Sequence, residues 1–310
     1  MDLTSVQYPN WHWIYEWSTP GTVHAHAVKK VHAFGTTKYQ TYLIVELEDL
    51  GKTLVIDGKT QSSAFDEYVY HESLVQPPLL AHGFPRRVLI LGGGEGATAR
   101  EALKFRTVEE VVMVDIDEEV VDACKKYLPE WHRGAFEDPR FRLVIGDAER
   151  YVREAEGKFD AILADLTDPE AGGPSWRLYT KDFYDAVREH LTDRGVFVTQ
   201  ATSPTLTPGV FSTIYRTAKA SFAHAAAYVS YVRSYEGLWG FVMASDGVDL
   251  DSFIAAQDVD ERLAALGVSG NRYYDSVTHR HMFSLPRYLR DLLARPGPVA
   301  TLQNPVYIPA

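Results

Sequence analysis

The hydrophobic and polar positions of this 310-residue chain follow two different patterns, which meet near residue 80. Before that point, short stretches rich in β-branched and aromatic residues are separated by turns, as in TVHAHAVKKVHAF and KYQTYLIVEL. This texture predicts a small N-terminal β domain, residues 1–80, with a hairpin that turns at Asp57 and Gly58. The segment FDEYVYHESLVQPPLLAH has helical spacing, and we expect Pro77 and Pro78 to end that helix.

From residue 81 onward, apolar strand-like segments alternate with helical ones. The five apolar segments are RVLILGG, EVVMVDID, FRLVIGDA, FDAILADL and GVFVTQA, and AAYVSYVRSYEGLWGFVMASD follows as two closing strands. Strands that are apolar on both faces and separated by helices indicate a parallel sheet covered on both sides. The predicted fold is therefore α/β, with a Rossmann-like, methyltransferase-type doubly wound sheet in residues 81–310 that ends in a helical tail.

The loop after the first of these strands, LGGGEGATARE, has the composition of a nucleotide-binding loop. Its glycines let the backbone approach a ligand closely, and Gly92, Gly94 and Ala97 match a permitted form of G-x-G-x-x-G. On its own this signal is equally compatible with a simple tight turn. Glu95 is unusual here, because such loops normally hold negative groups against backbone N–H donors.

Acids also end the next two strands. Asp115 stands where a carboxylate can accept hydrogen bonds from ribose hydroxyls, and Asp147 stands where an adenine amino group could be recognised. Either acid alone could simply cap the following helix. Together with the glycines, they predict an adenosine site of the kind found in S-adenosylmethionine-dependent methyltransferases.

The fourth loop, ADLTDPEAGGPSWRLYT, is too long for a simple turn between a strand and a helix. Asp165 and Asp168 lie at its start, with Leu166 and Thr167 between them. One interpretation is that they only cap the strand end and the turn before Pro169. The other is that two carboxylates in one cleft bind a cationic substrate or remove a proton from it.

Taken in order, these motifs resemble the polyamine aminopropyltransferases, the spermidine synthase family. The similarity covers about residues 38–246 and rests on QSSAFDEYVYHE, VLILGGGEGATARE, VMVDIDEEVV, FRLVIGDA and DLTDP…LYTKDFY. DPEAGGPSWRLYTKDFYDAV, GVFVTQA and WGFVMASD look most similar to the thermospermine synthase branch and related bacterial enzymes. So does Glu95, since many spermidine synthases have Asp at that position.

The resemblance implies an activity and its substrates. The donor would be decarboxylated S-adenosylmethionine, a co-substrate rather than a cofactor, and the released nucleoside would be methylthioadenosine. The acceptor would be spermidine, giving thermospermine or spermine, or else agmatine or putrescine. No cofactor and no metal are expected.

The resemblance also assigns roles to individual residues. Asp165 matches the general base, and Glu95 matches the acid that faces the donor's aminopropyl ammonium. The other positions that match donor-binding residues are Gln40, Gly92, Gly94, Asp115, Asp147, Ala148 and Pro174. The positions that match acceptor-binding residues are Tyr70, His71, Asp168, Gln200 and Tyr235.

The chain departs from the family pattern mainly around the acceptor. DPEAGGP is two residues longer than the commoner DP-x-GP, so residues 169–174 predict a remodelled lid. SYEGLWGF, which contains Tyr235, replaces the usual tyrosine–proline stretch. Asp115 and Ala148 stand where Glu and Gly are commoner in relatives. The lid and the SYEGLWGF change affect the expected acceptor and leave the donor site as the family has it.

Composition limits the other classes of function. The formal net charge is −11 and no block rich in Lys or Arg is present, which argues against nucleic-acid binding. The single cysteine, Cys124, excludes an intramolecular disulfide and zinc sites built from several cysteines. His24, His26 and His32 have no matching Cys or acid cluster, so a solvated strand face is favoured over a metal site. No signal-like segment or membrane-length apolar run is found, and a cytoplasmic protein is expected.

Three tryptophans near the start of the chain bear on assembly. Trp11, Trp13 and Trp17 are compatible with an alkyl-amine pocket, with a subunit interface or with core packing. The β-rich N-terminal segment and the resemblance lead us to expect a homodimer or homotetramer with small-molecule partners only.

Two alternative functions are compatible with parts of the pattern. An ordinary methyltransferase would use S-adenosylmethionine itself, but Glu95 would then repel the carboxylate of that ligand. A catalytically silent nucleoside- or polyamine-binding module would have no need of Asp165 beside Asp168.

Overall fold

The computed structural model describes residues 12–309 and begins with a five-stranded antiparallel sheet. Its strands pair in chain order and are β1 (His12–Thr19), β2 (Thr22–Thr36), β3 (Thr41–Leu47), β4 (Gly51–Ile56) and β5 (Lys59–Ser63). Asp57 and Gly58, with φ of 48° and 76°, form the hairpin between β4 and β5. Two consecutive left-handed residues are what a tight type I′ hairpin requires, and this turn was correctly predicted.

The N-terminal sheet packs on the larger part of the molecule through one buried apolar cluster. Ile44 and Ile56 of the sheet share that cluster with Val120, Cys124 and Trp131. This contact fixes strands β3 and β4 of the small sheet against the larger part of the molecule. Trp13 and Trp17 are 44% and 58% exposed, so core packing was the wrong interpretation for them, and Trp11 lies outside the described residues.

Helix α1 (Glu67–His82) continues through Pro77 and Pro78, so the prediction that they end it is wrong. Proline at position 77 removes the N–H that would pair with the carbonyl of Ser73. The hydroxyl of Tyr228 donates to that carbonyl instead, at 2.9 Å. A tertiary hydrogen bond from a distant strand therefore replaces the missing helical one, and sequence spacing alone could not reveal it.

The second sheet has seven strands and confirms the predicted doubly wound α/β fold. The strands are β6 (Arg87–Gly92), β7 (Glu110–Asp115), β8 (Phe141–Ile145), β9 (Phe159–Asp165), β10 (Leu191–Gln200), β11 (His224–Val232) and β12 (Gly237–Ser245). Their order in the sheet is β11-β12-β10-β9-β6-β7-β8. Strands β8, β7, β6, β9 and β10 are parallel, and β12 pairs antiparallel with both β10 and β11.

Helices cover both faces of this sheet. Val88 and Ile90 of β6 join one buried cluster, and Leu89 and Leu91 join the cluster on the opposite face. This alternation explains the continuously apolar strand sequence. The remaining helices are α2 (Ala97–Leu103), α3 (Glu118–Tyr127), α4 (Pro129–His132), α5 (Ala148–Glu154), α6 (Lys181–Glu189), α7 (Pro208–Ser221), α8 (Leu250–Ile254), α9 (Val259–Ala265), α10 (Ser276–Phe283) and α11 (Arg287–Ala294).

Chain order reverses at β6, which lies between β7 and β9. Gly92 at the end of β6 pairs with Asp165 at the end of β9, so the loops after these strands begin side by side. Ligands of open α/β sheets bind at such a switch point, beyond the carboxyl ends of the strands. Within residues 12–309, no helix combines the length and the apolar character that crossing a membrane would require.

Candidate active site

A cavity of about 240 Å³ opens at the switch point, between the two sheets. It is lined by every residue proposed for donor or acceptor binding except His71. Those lining residues are Gln40, Tyr70, Gly92, Gly94, Glu95, Asp115, Asp147, Ala148, Asp165, Asp168, Pro174, Gln200 and Tyr235. The fold therefore brings together residues that are up to 195 positions apart in the chain.

The glycines after β6 are required by close backbone contacts. Gly92 has φ of 78°, and a Cβ there would lie 2.1 Å from the carbonyl oxygen of Asp165. A Cβ on Gly94 would lie 2.8 Å from Oδ2 of Asp115. Any larger residue at these positions would displace one of the two carboxylate-bearing strand ends, so the glycines fix the spacing of the acids.

Glu95 is buried and makes a direct ion pair with His71. Nε2 of His71 donates to Oε1 of Glu95 at 2.8 Å, and its Nδ1 faces Oε2 of Glu67 at 2.9 Å. Burial alone would lower the pKa of His71, but the hydrogen bonds and charges of Glu67 and Glu95 raise it to about 10. His71 is thus an imidazolium behind Glu95, and only Glu95 faces the cavity.

Arg100 extends this buried ion-pair chain. Its guanidinium donates to both carboxylate oxygens of Glu67, at 3.2 and 2.8 Å, and to Glu101 at 2.9 Å. Burial opposes ionisation of Glu67, yet hydrogen bonds from His71 and Arg100 lower its pKa to about 2. The chain Arg100–Glu67–His71–Glu95 alternates in charge, so no member is left as an unpaired buried ion.

Asp115 ends β7, and Asp147 follows the end of the neighbouring strand β8. Oδ1 of Asp115 accepts from the N–H of Asp117 at 2.9 Å, and burial raises its pKa from 3.8 to about 6. Asp147 caps α5 by accepting from the N–H of Arg150 at 3.1 Å. The capping interpretation is therefore correct for Asp147, and its carboxylate still borders the cavity.

Gln40 reaches the cavity from the turn between β2 and β3. Its N–H donates to Oγ1 of Thr37 at 3.2 Å, and the same hydroxyl donates to Oδ2 of Asp117 at 2.6 Å. The turn of the small sheet is thereby tied to the start of α3, next to Asp115. This bridge positions an N-terminal side chain over the loops of the larger sheet.

The carboxylate of Asp165 is held by two hydroxyl donors. The hydroxyl of Tyr70 donates to Oδ1 at 2.8 Å, and the hydroxyl of Thr98 donates to Oδ2 at 2.5 Å. Tyr70 itself is buried, and burial together with the charge of Asp165 raises its pKa, so it stays a donor. A carboxylate oxygen can accept two hydrogen bonds, so each oxygen of Asp165 retains capacity for a further donor at the cavity that this residue lines.

Asp168, the second acid of the loop that follows β9, lies beside Gln200. Nε2 of Gln200 donates to Oδ1 of Asp168 at 3.0 Å and also contacts the hydroxyl of Tyr179 at 2.7 Å. Burial raises the pKa of Asp168 from 3.8 to about 6, against the lowering effect of Gln200 and with the charge of Glu170. A cation placed here would favour the ionised carboxylate.

Negative charge dominates the cavity. Nine carboxylates line it against two cationic side chains, Lys59 and Arg177. The carboxylates belong to Glu16, Asp57, Glu95, Asp115, Asp147, Glu149, Asp165, Asp168 and Glu170. A cleft lined mainly by one sign of charge attracts ligands of the opposite sign, here cations.

Three aromatic residues, Tyr70, Tyr235 and Trp239, line one part of the cavity. The ring of Tyr235 lies 5.7 Å from that of Tyr70 and 4.6 Å from that of Trp239, centroid to centroid. The hydroxyl of Tyr235 donates to the carbonyl of Gln61, which ties it to the small sheet. Aliphatic segments of a ligand could pack on these rings between the carboxylates.

Sequence reasoning missed several residues of this site. Glu67 was detectable, because it precedes His71 by four positions, the spacing that makes helix side chains neighbours. Thr98 carried no signal that distinguished it from any other polar residue at a helix start. Glu16 and Ile308 lie far from the motifs in sequence and reach the cavity only through the tertiary fold.

The histidines of the small sheet do not form a metal site. Among residues 12–309, no group of three or more His, Cys, Asp or Glu side chains is arranged to hold a metal ion. His26 is buried, contrary to the solvated face that was favoured for it. Each of the three histidines pairs with a different carboxylate, His24 with Glu236, His26 with Asp49 and His32 with Glu46.

Comparison with known proteins identifies the family. A spermine/spermidine synthase domain model matches residues 67–252, and a spermidine synthase tetramerisation domain model matches residues 12–63. The chain belongs to the spermine/spermidine synthase family. The matched segments meet between β5 and α1, the junction of the two sheets.

Relatives of nearly the same length agree with this assignment. Polyamine aminopropyltransferase 2 of Hyperthermus butylicus is 52% identical over 299 residues, covering 96% of this chain and 98% of that protein. The polyamine aminopropyltransferase of Sulfurisphaera tokodaii is 48% identical over 300 residues, covering 97% and 99%. The protein is an aminopropyltransferase that acts in polyamine chemistry, and the methyltransferase alternative is not favoured.

A solved structure supports the fold independently. A spermidine synthase crystallised with the transition-state analogue AdoDATO superposes with a TM-score of 0.86 at 33% identity, covering 93% of this chain and 96% of that one. Both the small N-terminal sheet and the Rossmann-like core fall within this similarity.

Proposed function

We propose that the enzyme transfers the aminopropyl group of decarboxylated S-adenosylmethionine to a polyamine acceptor and releases methylthioadenosine. The observation that carries the proposal is the arrangement of Glu95, Asp165 and Asp168 around one cavity at the switch point. A nucleoside bound by the strand ends would direct its cationic tail toward Glu95. The acceptor would then approach from the side of Asp165 and Asp168.

In this proposal the donor site is formed by the loops after β6, β7 and β8. Asp115 accepts from the ribose hydroxyls, while Asp147 and Ala148 contact the adenine and Pro174 packs against it. Gln40 closes the site from the small sheet, and the backbone at Gly92 and Gly94 allows the nucleoside to lie close to the loop. Glu95 pairs with the aminopropyl ammonium.

The transfer itself follows from the chemistry of a sulfonium. The lone pair of a neutral amine attacks the methylene attached to sulfur, the C–N bond forms, and the electrons of the C–S bond return to sulfur as a thioether. An alkylamine with a pKa of about 10 is mostly protonated near neutral pH and must first lose a proton. Asp165 accepts that proton directly or through water, and no metal or cofactor is needed to activate the electrophile.

Asp168 positions the acceptor. Its carboxylate binds a distant ammonium of the acceptor, with Gln200 holding the carboxylate and the rings of Tyr70 and Tyr235 bordering the chain. His71 enters the proposal only through Glu95, since it does not reach the cavity. Alignment of the attacking nitrogen with carbon and sulfur is a major part of the catalytic effect in such reactions.

Spermidine is the acceptor that we favour, giving thermospermine or spermine. Glu16 and Glu170 line the same cavity, and their charges act on Asp168. They offer carboxylates for an ammonium beyond the one on Asp168, which a triamine has and putrescine lacks. Agmatine and putrescine are the alternatives that the experiment has to separate.

The experiment incubates the purified enzyme with decarboxylated S-adenosylmethionine and each amine in turn, and follows release of methylthioadenosine. We expect release with spermidine at a higher kcat/KM than with agmatine or putrescine, and chromatography of the product distinguishes thermospermine from spermine. A higher kcat/KM with agmatine or putrescine would refute the acceptor assignment. Methyl transfer from S-adenosylmethionine, without release from the decarboxylated donor, would refute the function.

We also propose a homodimer or homotetramer formed through the small sheet. Tyr15, Trp17 and Phe34 expose 64%, 58% and 79% of their surface there, which is unusual for aromatic residues of a monomer. The match to a tetramerisation domain model supports this. Light scattering of the purified protein tests it, and a monomer at micromolar concentration would contradict it.

The cytoplasmic location stays a prediction, which cell fractionation tests.

A further inference from the structure

Residues 305–309, with the sequence PVYIP, lie against the loop that carries Asp168. The N–H of Ile308 donates to the carbonyl of Pro169 at 2.9 Å, one residue after Asp168. The ring of Tyr307 meets the ring of Trp176 edge-on, with centroids 5.9 Å apart. The segment therefore contacts the loop near both of its ends.

Ile308 also reaches the cavity itself. Ile308 is among the residues that line it, together with Asp168 and Glu170. It packs in addition against the apolar cluster on one face of the large sheet. Ile308 thus contacts the apolar core, the loop that carries Asp168, and the cavity.

The loop is held at its start by Gln200, whose Nε2 donates to Oδ1 of Asp168 at 3.0 Å and to the carbonyl of Leu166 at 3.1 Å. The N–H of Glu170 and the hydroxyl of Ser175 both donate to the carbonyl of Asp168 at 2.9 Å, which closes the loop on itself. Ala171 and Gly172 at its tip are exposed. Pro169 is buried, unlike the tip, and the contact with Ile308 lies at that residue. The extra residues of this lid are therefore held at the base and free at the tip.

Segment 305–309 is in turn well anchored before it reaches the loop. The carbonyl of Ala300 accepts from the N–H of Lys181 at 2.8 Å, and its N–H donates to the hydroxyl of Thr217 at 2.9 Å. Pro309 disfavours helical backbone at the preceding residue, which keeps Ile308 extended. An extended, anchored segment can hold its neighbour in one position.

We propose that Ile308 is a specificity-determining residue for the amine acceptor. Its N–H fixes Pro169 and hence the carboxylate of Asp168, and its side chain supplies an apolar surface for the methylene chain between two ammonium groups. This inference rests on the proposed function, because it assigns Ile308 to the acceptor side of that site. Donor binding should be independent of it.

The test compares Ile308→Ala, Ile308→Pro and Ile308→Val in steady-state assays with spermidine. Loss of the apolar contact in Ile308→Ala should raise the spermidine KM about tenfold. This is the lower end of the range of effects that follow when a methylene contact is lost from an apolar pocket. Ile308→Pro, which also lacks the N–H, should raise it further, and Ile308→Val should stay close to the wild type. The donor KM should change little in all three.

Tyr288→Ala is the matched control, because Tyr288 is 56% exposed on α11 and outside the loop contact. Since KM does not depend on the folded fraction, a partly unfolded preparation still gives a valid comparison. An unchanged spermidine KM in Ile308→Ala and Ile308→Pro, or an equal rise in both substrates' KM, would overturn the inference while leaving the proposed function intact. A wild-type enzyme without transfer activity would instead remove the proposed function.

Discussion

Nε2 of His71, on α1, lies 2.8 Å from Oε1 of Glu95, and both side chains are buried. Burial raises the pKa of the Glu95 carboxyl, whereas the adjacent imidazolium lowers it. His71 therefore opposes the protonation that burial alone would favour. In the proposed function Glu95 attracts the cationic tail of the donor only while its carboxylate is ionised, and the positive charge of His71 favours that ionised state.

Glu67→Gln should make donor binding sensitive to alkaline pH. The raised pKa of His71 depends on two carboxylates, and removing one of them lowers it from about 10. His71 then loses its charge at a lower pH, Glu95 becomes an unpaired buried acid, and the donor KM rises. The measurement is the donor KM between pH 7 and 10 for both proteins.

Glu72→Gln is the control for that variant. Glu72 is also buried and accepts from the N–H groups of Arg272, Tyr273 and Tyr274, all at 2.8 Å. Its loss should lower stability without moving the alkaline limb of the donor KM. The same shift in both variants would mean that Glu67 acts on folding alone.

Asp165→Asn should abolish most of the turnover and leave donor affinity nearly unchanged. The amide keeps the shape of the carboxylate but takes no proton, and general-base groups typically contribute about 10²–10⁴-fold. Calorimetric titration with methylthioadenosine checks binding, and single-turnover transfer checks the chemical step. A variant that retained most of its rate would show that another group takes the proton.

Acceptor binding should weaken below about pH 6. The pKa of Asp168 is raised from 3.8 to about 6 by burial, so the free enzyme carries a neutral acid below that value. Because the pKa of Asp168 is higher in the folded than in the unfolded chain, its contribution to the free energy of unfolding falls as pH rises from about 4 to about 6. A bound ammonium pairs with the ionised carboxylate and offsets that loss. The spermidine KM should therefore increase as pH falls from 7 to 5, while the amines keep their protons.

Asp168→Asn separates this effect from other titrations in the cavity. The variant should have a higher spermidine KM at every pH and no remaining rise below pH 6. An acid limb of the same size in the variant would assign the titration to a different carboxylate.

Gly94→Ala should raise the donor KM by displacing Asp115. Its Cβ would lie 2.8 Å from Oδ2 of Asp115 and 3.1 Å from Cγ2 of Val121, which leaves little room for either to yield. Gly209→Ala is the matched control, since nothing lies within 4 Å of a Cβ there. Equal donor KM values for the two variants and the wild type would contradict the proposal that Gly94 sets the position of Asp115 for donor binding.

Much of the fold could be predicted because its signals are local. Continuous apolar strands and intervening amphipathic helices identify the covered parallel sheet, and the turn at Asp57 and Gly58 identifies the hairpin. The course of α1 through Pro77 could not be predicted, because the hydrogen bond from Tyr228 that permits it spans 155 positions. Local rules describe the cost of a proline but not the distant group that offsets it.

The site, like the fold, could be predicted from the sequence only in part. Acids at strand ends could be placed in one cleft because the topology of parallel sheets brings those ends together. His71 was expected beside the acceptor, yet it points at Glu95, since the direction of a side chain on a buried helix depends on packing. The contribution of Ile308 depends on how residues 305–309 return to the loop, and no motif encodes that path.

The central claim is that Glu95 selects the donor by the charge of its tail. Calorimetric titration of Glu95→Gln with decarboxylated S-adenosylmethionine and with S-adenosylmethionine tests it most directly, with Glu95→Asp as the control that keeps the charge. Methylthioadenosine, which has no charged tail, should bind all three proteins similarly. We predict that the wild type and Glu95→Asp prefer the decarboxylated donor and that Glu95→Gln loses at least about tenfold of this preference, equivalent to about 1.4 kcal/mol. An unchanged preference in Glu95→Gln would contradict the account.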